Sequence, residues 1–186
     1  TIEELEDARL VSKSSNGNYC DKMRNSIIIP TINTKGEIVC FDYFIVDKQV
    51  LYKYPNTNNY SRSENLYSLN LASKSDSLSV IVVTTYEDYF RLIGKGITNV
   101  VSTYLPKITE GQLKLLKKKF KVVLTLTSQQ INLPECKVFC RKNNMFCEEI
   151  EIKGFDSVVE FIENNESAIK EKIAEYITTV SGKGSK

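Results

Sequence analysis

The chain has 186 residues, of which 41% are hydrophobic and 26% are charged, and its formal net charge is +2. This composition is ordinary for a globular protein that buries a core, and it excludes a protein dominated by basic charge, so any contact with nucleic acid has to come from a local patch. No apolar run approaches the roughly 20 residues that span a bilayer, and the acidic first residues do not resemble a signal peptide. We therefore predict a cytoplasmic protein with no membrane partner.

The chain contains no histidine and five cysteines. The absence of histidine excludes Ser-His, Cys-His and metal-His mechanisms. The cysteines at positions 20, 40, 136, 140 and 147 are odd in number and do not form a disulfide framework, which predicts buried thiols in a reducing compartment. Cys136, Cys140 and Cys147 offer a zinc site as the alternative, although Cys-x-x-Cys spacing and a fourth ligand are missing.

The N-terminal residues predict a small β-rich unit. A helix over 2–10 precedes a loop over 12–18 that is rich in Ser, Asn and Gly. Strand-like runs at 27–30 and 37–41 are separated by a turn in which Gly36 supplies a positive φ. The predicted second pair of strands lies at 44–46 and 49–52.

From Leu66 onward the pattern changes to strands that alternate with helices. Strands rich in Val and Ile, separated by helices, predict βαβ units and a mostly parallel sheet that is buried on both faces. The predicted strands are 80–84, 98–102, 122–126 and 146–152, and the predicted helices are 66–72, 86–94, 109–120, 134–143, 157–163 and 166–180.

Five segments in this order resemble the RNA polymerase domain of DnaG-type bacterial primases, over about residues 5–175. The first segment, residues 21–32, is similar to the family's Asp-x-Phe-Arg-Asn-Arg run, which leads to a Phe-Pro-Ile strand. The other segments are 53–57, 60–69, 96–102 and 108–117. The resemblance implies an α/β fold with an N-terminal α+β subdomain and a TOPRIM-type, mostly parallel sheet flanked by helices. The implied boundaries are 1–75 for the first part, 76–180 for the second and 181–186 for a flexible tail.

The chain departs from the family at the positions of the metal-binding carboxylates. The family's Glu-Gly-Tyr-x-Asp run corresponds to residues 84–88 (Thr-Thr-Tyr-Glu-Asp), and its Asp-x-Asp run corresponds to residues 127–129 (Thr-Ser-Gln). Phosphoryl transfer needs carboxylates that hold Mg²⁺ against the transferred phosphate. Thr84, Thr127 and Gln129 are thus the predicted positions of lost carboxylates, and no catalytic residue is assigned.

Two aspartates remain as candidate metal ligands, Asp88 and Asp156. Mg²⁺ is expected only if these two, together with Glu87, form a relocated site; otherwise no cofactor is expected. The alternative for Asp88 is a solvated surface residue or a partner of the dipole at the N-terminus of a helix.

Basic residues at matching positions predict a nucleic-acid interface. Lys22, Arg24, Lys53 and Arg62 could line a shallow groove together with Tyr54 and Tyr60, because single-strand binders combine cations with stacking aromatic rings. The alternative is that these residues are amphipathic surface residues. Ser26 and the segment 40–44 depart from the family's basic pattern, and the lysines at 114, 117, 118 and 119 are predicted to be the solvated face of a helix.

Three functions follow from these observations. The first is a primase-like domain in DNA replication that is no longer catalytic and binds nucleic acid or acts as a scaffold. The second is an active primase with a relocated metal site. The third is a protein-interaction domain that reuses the fold. Single-stranded DNA and replication proteins such as a helicase or a primase are the expected partners.

Overall fold

The computed structural model describes residues 1–7, 10–48, 50–53, 60–127, 131–165 and 169–183. The chain divides into two compact units, one formed by residues 1–31 and 38–56 and the other by residues 32–37 and 57–186. The described residues 60–75, which the sequence assigned to the N-terminal part, fall in the second of these units. Within the described ranges, no helix is long and apolar enough to cross a membrane.

The first unit is mainly β-structure. It contains α1 (Ile2–Asp7), β1 (Val11–Lys13), β2 (Tyr19–Asp21), β3 (Ser26–Ile32), β4 (Ile38–Ile45) and β5 (Val50–Lys53). Strands β1 and β2 pair antiparallel, so the region predicted as a plain loop over 12–18 is a small hairpin. The predicted strands 37–41 and 44–46 are one continuous strand, β4, which pairs antiparallel with β5.

The predicted turn at Gly36 is confirmed. Gly36 has a φ of +89°, a left-handed conformation that glycine adopts without steric cost. The Asn33 carboxamide oxygen accepts hydrogen bonds from the backbone N–H groups of Lys35 at 2.9 Å and Glu37 at 3.0 Å. The side chain of Asn33 therefore satisfies the donors that the turn leaves without a strand partner.

The second unit is built around a four-stranded parallel sheet with the order β7-β6-β8-β9. Its elements are α2 (Leu69–Ala72), β6 (Ser79–Val83), α3 (Tyr86–Gly94), β7 (Val100–Ser102), α4 (Glu110–Lys117), β8 (Val122–Thr125), α5 (Leu133–Lys142), β9 (Phe146–Glu149), α6 (Val158–Asn164) and α7 (Ile169–Lys183). The predicted α/β fold with a parallel sheet flanked by helices is confirmed, and the main differences are a shorter α2 and a shorter β9.

Both faces of this sheet are covered, which explains why its strands are continuous apolar runs. All five residues of β6 are buried. Ile81 and Val83 belong to a core that includes residues of α3, α6 and α7, whereas Val80 and Val82 belong to a second core that includes residues of α2, α4 and α5. Alternate side chains of one strand thus supply two cores, as expected for a parallel sheet between two helical layers.

Candidate functional site

Two threonine side chains meet where neighbouring strands of the parallel sheet end. Thr84 follows β6 and Thr127 lies two residues beyond β8, and these two strands pair in parallel. Their hydroxyl oxygens are 3.2 Å apart and hydrogen-bonded, and both side chains are buried. The fold therefore brings together two of the three positions at which the resemblance places metal-binding carboxylates, and both carry neutral hydroxyls. The third position, Gln129, lies outside the described residues.

Asp88 lies in the first turn of α3 and is 7% exposed, so it is not a solvated surface residue, whereas its place in the first turn agrees with the alternative of a dipole partner. The Thr85 hydroxyl donates a hydrogen bond of 2.7 Å to the Asp88 carboxylate and accepts one of 3.0 Å from the Asp88 backbone N–H. Thr85 is therefore the N-cap of α3, and the Asp88 carboxylate lies at the positive end of the helix dipole.

Burial raises the pKa of Asp88 above its ordinary value of 3.8; the Thr85 hydrogen bond acts in the opposite direction and the charge of Glu87 adds to the rise. Because the folded state holds the proton more tightly than the unfolded state, ionisation of Asp88 removes stability as the pH rises from 3.8 through the raised pKa. We expect Asp88→Asn to gain stability relative to the unmodified protein over this window. Urea unfolding of both proteins at several pH values would measure the difference, and a difference that does not change with pH would contradict this assignment.

The remaining acidic candidates do not assemble with Asp88 into a metal site. Glu87 is exposed and forms an ion pair with Arg91 at 3.9 Å. Asp156 is exposed in the turn before α6, where its backbone N–H donates to the Glu160 carboxylate at 2.8 Å. No group of three acidic or cysteine side chains that could hold a metal ion occurs within the described ranges. Neutral, mutually bonded hydroxyls and one capped carboxylate do not fit the ligand set that Mg²⁺ requires.

The five cysteines are not joined by disulfides, and four of them are buried. Cys136, Cys140 and Cys147 belong to the core beside α4 and α5, and Cys40 is also buried. Burial raises the pKa of Cys136 to about 12, whereas a hydrogen bond with Cys147 lowers the pKa of Cys140, and these three thiols do not form a group that could hold a metal ion. The structure thus supports the buried-thiol prediction for these residues and gives no support to the zinc alternative; Cys20 is only partly buried.

Two of the basic candidates lie on one exposed turn of the first unit. Lys22 and Arg24 flank the buried Met23 in the segment between β2 and β3. The Asp21 carboxylate accepts a hydrogen bond of 2.7 Å from the Met23 backbone N–H, which fixes the turn. Two cations are therefore presented to solvent from an ordered backbone.

The other basic and aromatic candidates are placed differently. Arg62 is 8% exposed, and its guanidinium lies 5.3 Å from the ring centroid of Tyr104. Tyr60 is 4% exposed. Buried side chains of this kind cannot contact phosphates or stack on bases without rearrangement. Arg62 and Tyr60 therefore do not line the predicted groove in this structure. Lys53 ends β5 opposite Asp42, and Tyr54 lies outside the described residues.

Gln112, which was not among the predicted site residues, connects the segment before α2 to α4. Gln112 is fully buried, and its amide nitrogen lies within hydrogen-bond distance of the carbonyl oxygens of Arg62 at 3.0 Å, Asn65 at 2.8 Å and Thr103 at 3.0 Å. Its amide oxygen accepts from the Thr109 N–H at 3.0 Å, which completes a capping box. The spacing Thr109-x-x-Gln112 was a visible signal for the cap, but the three carbonyl partners come from distant segments.

A parallel sheet with this strand order and these flanking helices is the fold of bacterial primase catalytic cores. The structure of the Aquifex aeolicus primase zinc-binding and RNA polymerase domains is similar with a TM-score of 0.75 and 22% identity, over 94% of this chain and 46% of that chain. The Escherichia coli primase catalytic core gives a TM-score of 0.71 at 16% identity, over 94% of this chain and 59% of that chain. A DnaG primase catalytic domain bound to single-stranded DNA gives 0.69 at 16% identity, over 93% and 60%.

The sequence leads to the same family. Residues 1–73 match the family described as DNA primase catalytic core, N-terminal domain. The chain is 34% identical to the DNA primase of Clostridium acetobutylicum over 126 residues, which cover 66% of this chain and 21% of that protein. The Legionella pneumophila DNA primase is 32% identical over 123 residues, which cover 63% and 21%. Sequence and fold together support a DnaG-type primase domain, as the resemblance predicted, and the match spans about a fifth of the length of these relatives.

Proposed function

We propose that this primase-like domain takes part in DNA replication without nucleotidyl transfer of its own, as a module that binds nucleic acid or holds a replication protein. The observation that carries the proposal is the hydrogen-bonded pair of Thr84 and Thr127 at the strand ends where a primase needs carboxylates. Hydroxyls that bond each other offer Mg²⁺ no negative charge, and the transferred phosphoryl group has no metal to neutralise it.

A primer-synthesis assay tests the loss of chemistry. The protein is incubated with a single-stranded template, ribonucleotides and Mg²⁺ or Mn²⁺, beside a primase catalytic core that has intact carboxylates. We expect product only from the control core. Product from this protein that disappears in Asp88→Asn would instead establish the relocated metal site and overturn the proposal.

Nucleic-acid binding is expected to depend on the exposed turn of the first unit. A similar primase domain has been solved with single-stranded DNA, and the candidates Lys22 and Arg24 are exposed in this structure. Lys22→Glu combined with Arg24→Glu should weaken oligonucleotide binding and flatten its dependence on salt. Loss of two phosphate contacts lowers the slope of log K against log salt by about 1.4 for a single strand.

Fluorescence anisotropy at rising salt measures this slope. The matched control is Lys74→Glu with Lys121→Glu, which makes the same change in charge at exposed positions of the other unit. An unchanged slope in the Lys22 and Arg24 variant would reject this interface. Absence of binding by the unmodified protein at low salt would leave the scaffold role as the surviving part of the proposal.

A further inference from the structure

The short acidic helix α1 lies beside the exposed basic turn of the first unit. The Leu10 N–H donates a hydrogen bond of 2.9 Å to the carbonyl oxygen of Leu5 in α1, and the Lys22 N–H donates one of 3.0 Å to the carbonyl oxygen of Leu10. One residue, Leu10, thus connects α1 to the turn through two backbone hydrogen bonds. The backbone of α1 at Leu5 is therefore within roughly 10 Å of the backbone of Lys22.

A side-chain contact joins the same two segments. The hydroxyl of Tyr19, in the strand that leads to the turn, donates a hydrogen bond of 3.3 Å to the Glu6 carboxylate. The negative charge of Glu6 raises the pKa of Tyr19 above its ordinary value of 10.0, and desolvation, this hydrogen bond and the charge of Glu3 add to the rise. The electrostatic field of α1 therefore acts on the strand that precedes Lys22.

The acidic side chains of α1 are not paired with the cations of the turn. They are all exposed to solvent, namely Glu3, Glu4, Glu6 and Asp7. Glu4 contacts the N-terminal amino group of Thr1. In the part of the chain that the structure describes, no ion pair joins α1 to Lys22 or Arg24. The charges of Glu3, Glu6 and Asp7 therefore act through space on a ligand at the turn.

Other charged residues near the turn do not reverse this balance. Asp21 is exposed at the start of the turn, and the Asp47 carboxylate accepts a hydrogen bond of 3.3 Å from the Asn25 side chain. The Lys13 ammonium lies 5.7 Å from the ring centroid of Tyr19 and offsets part of the negative charge. Residue 9 is an arginine outside the described residues, so four acidic residues and one arginine give the segment 2–10 a net charge of −3.

Negative charge at this position opposes a bound phosphate chain. Electrostatic interactions between exposed charges extend over about 10 Å at 0.1 M salt, which is the separation of α1 from the turn. Each repulsion between a carboxylate and a phosphate is small, but the repulsions add over the several phosphates of an oligonucleotide. The same carboxylates that neighbour Lys22 and Arg24 therefore lower the affinity of these cations for nucleic acid.

We propose that α1 is an autoinhibitory element, which weakens nucleic-acid binding at Lys22 and Arg24 through the charges of Glu3, Glu6 and Asp7. The inference rests on the nucleic-acid branch of the proposed function and adds the regulation of that surface. Neutralisation or displacement of α1 raises the affinity of the turn for phosphates.

The test variant combines Glu3→Gln, Glu6→Gln and Asp7→Asn and leaves Glu4 unchanged. Glutamine at position 6 keeps an oxygen that accepts the Tyr19 hydrogen bond, so the variant removes charge and preserves the contact. Fluorescence anisotropy of a labelled single-stranded oligonucleotide at low salt should show an affinity higher by about fivefold or more. The gain should shrink as the salt concentration rises, because salt screens the repulsion.

The control variant combines Asp76→Asn, Glu171→Gln and Glu175→Gln, which changes the net charge equally at exposed positions of the second unit. Its affinity should change by no more than about twofold. Addition of Lys22→Glu and Arg24→Glu to the α1 variant should abolish the gain. If the α1 variant does not fold, Glu3→Gln with Asp7→Asn replaces it, with an expected gain of about two- to threefold.

Three results would overturn autoinhibition and leave the proposed function intact. They are an unchanged affinity of the α1 variant, an equal gain in the control variant, and a gain that persists after Lys22→Glu and Arg24→Glu. Absence of binding by both the unmodified protein and the α1 variant at low salt would instead reject the nucleic-acid branch of the proposed function, and this inference with it. Binding by the α1 variant alone, lost on Lys22→Glu with Arg24→Glu, would support both.

Discussion

Thr84→Glu combined with Thr127→Asp is expected to lower the free energy of unfolding by about 3–5 kcal/mol at pH 7 in a buffer that contains a chelator. The two hydroxyls are buried and 3.2 Å apart, so the new carboxylates would face each other with little water. Two neighbouring carboxylates cannot both ionise without a large cost, and the pKa of one of them should rise strongly. The loss of stability should therefore shrink as the pH falls and the carboxyl groups take up protons.

Divalent metal should reverse much of this loss. If the two strand ends have the geometry of a carboxylate metal site, Mn²⁺ or Mg²⁺ will bind the folded variant and not its unfolded chain. A ligand at 100 times its dissociation constant stabilises a protein by about 2.7 kcal/mol. The unmodified protein, which offers two hydroxyls at these positions, is expected to show no shift in Tm with either metal.

The control is Thr84→Gln combined with Thr127→Asn, which has the same side-chain sizes without the charges. The difference in stability between the two double variants measures the effect of the charges separately from the effect of the larger side chains. Thermal unfolding of the unmodified protein and of both double variants is measured with chelator, with Mg²⁺ and with Mn²⁺. Equal stability of the acidic and amide variants, or metal stabilisation of the unmodified protein, would contradict the assignment of Thr84 and Thr127 to the carboxylate positions.

The strand ends that carry Thr84 and Thr127 were predictable, because continuous runs of Val and Ile predict buried parallel strands. The pairing of the two residues was not, because they are 43 residues apart and follow strands that are neighbours in the sheet but not in the sequence. The family resemblance connected them by assigning both positions to metal-binding carboxylates. The turn at Gly36 was predictable because a glycine between two short strand-like runs is typical of a hairpin turn that needs a positive φ.

Burial of individual polar residues was not predictable in the same way. Arg62 looks like a surface cation in the sequence, but its burial depends on Tyr104, which lies in a different segment. Asp88 is buried although it is charged, because the Thr85 hydroxyl and the end of α3 satisfy its carboxylate. Such environments come from tertiary contacts between distant segments, whereas periodicity reports only which face of an element is apolar.

Gln112→Leu is the second substitution for which we expect a large effect, a loss of about 2–4 kcal/mol in the free energy of unfolding. Leucine fills a similar volume but cannot donate to the carbonyls of Arg62, Asn65 and Thr103. It also leaves the Thr109 N–H without the amide oxygen that it contacts at 3.0 Å. Buried carbonyls that lose a donor keep their desolvation cost, so the loss should greatly exceed that of an exposed substitution.

Urea unfolding measures this loss, and Lys114→Leu is the matched control because it introduces the same side chain into the same helix at an exposed position. The control should change stability by no more than about 0.5 kcal/mol. Amide hydrogen exchange shows which residues are destabilised. In Gln112→Leu, exchange should accelerate first at residues 62–65, because Gln112 and Thr109 bind the carbonyl oxygens of this segment. A loss below about 1 kcal/mol in the free energy of unfolding, with unchanged exchange at residues 62–65, would contradict this role of Gln112. It would mean that water replaces the amide and that packing alone holds residues 62–65 against α4.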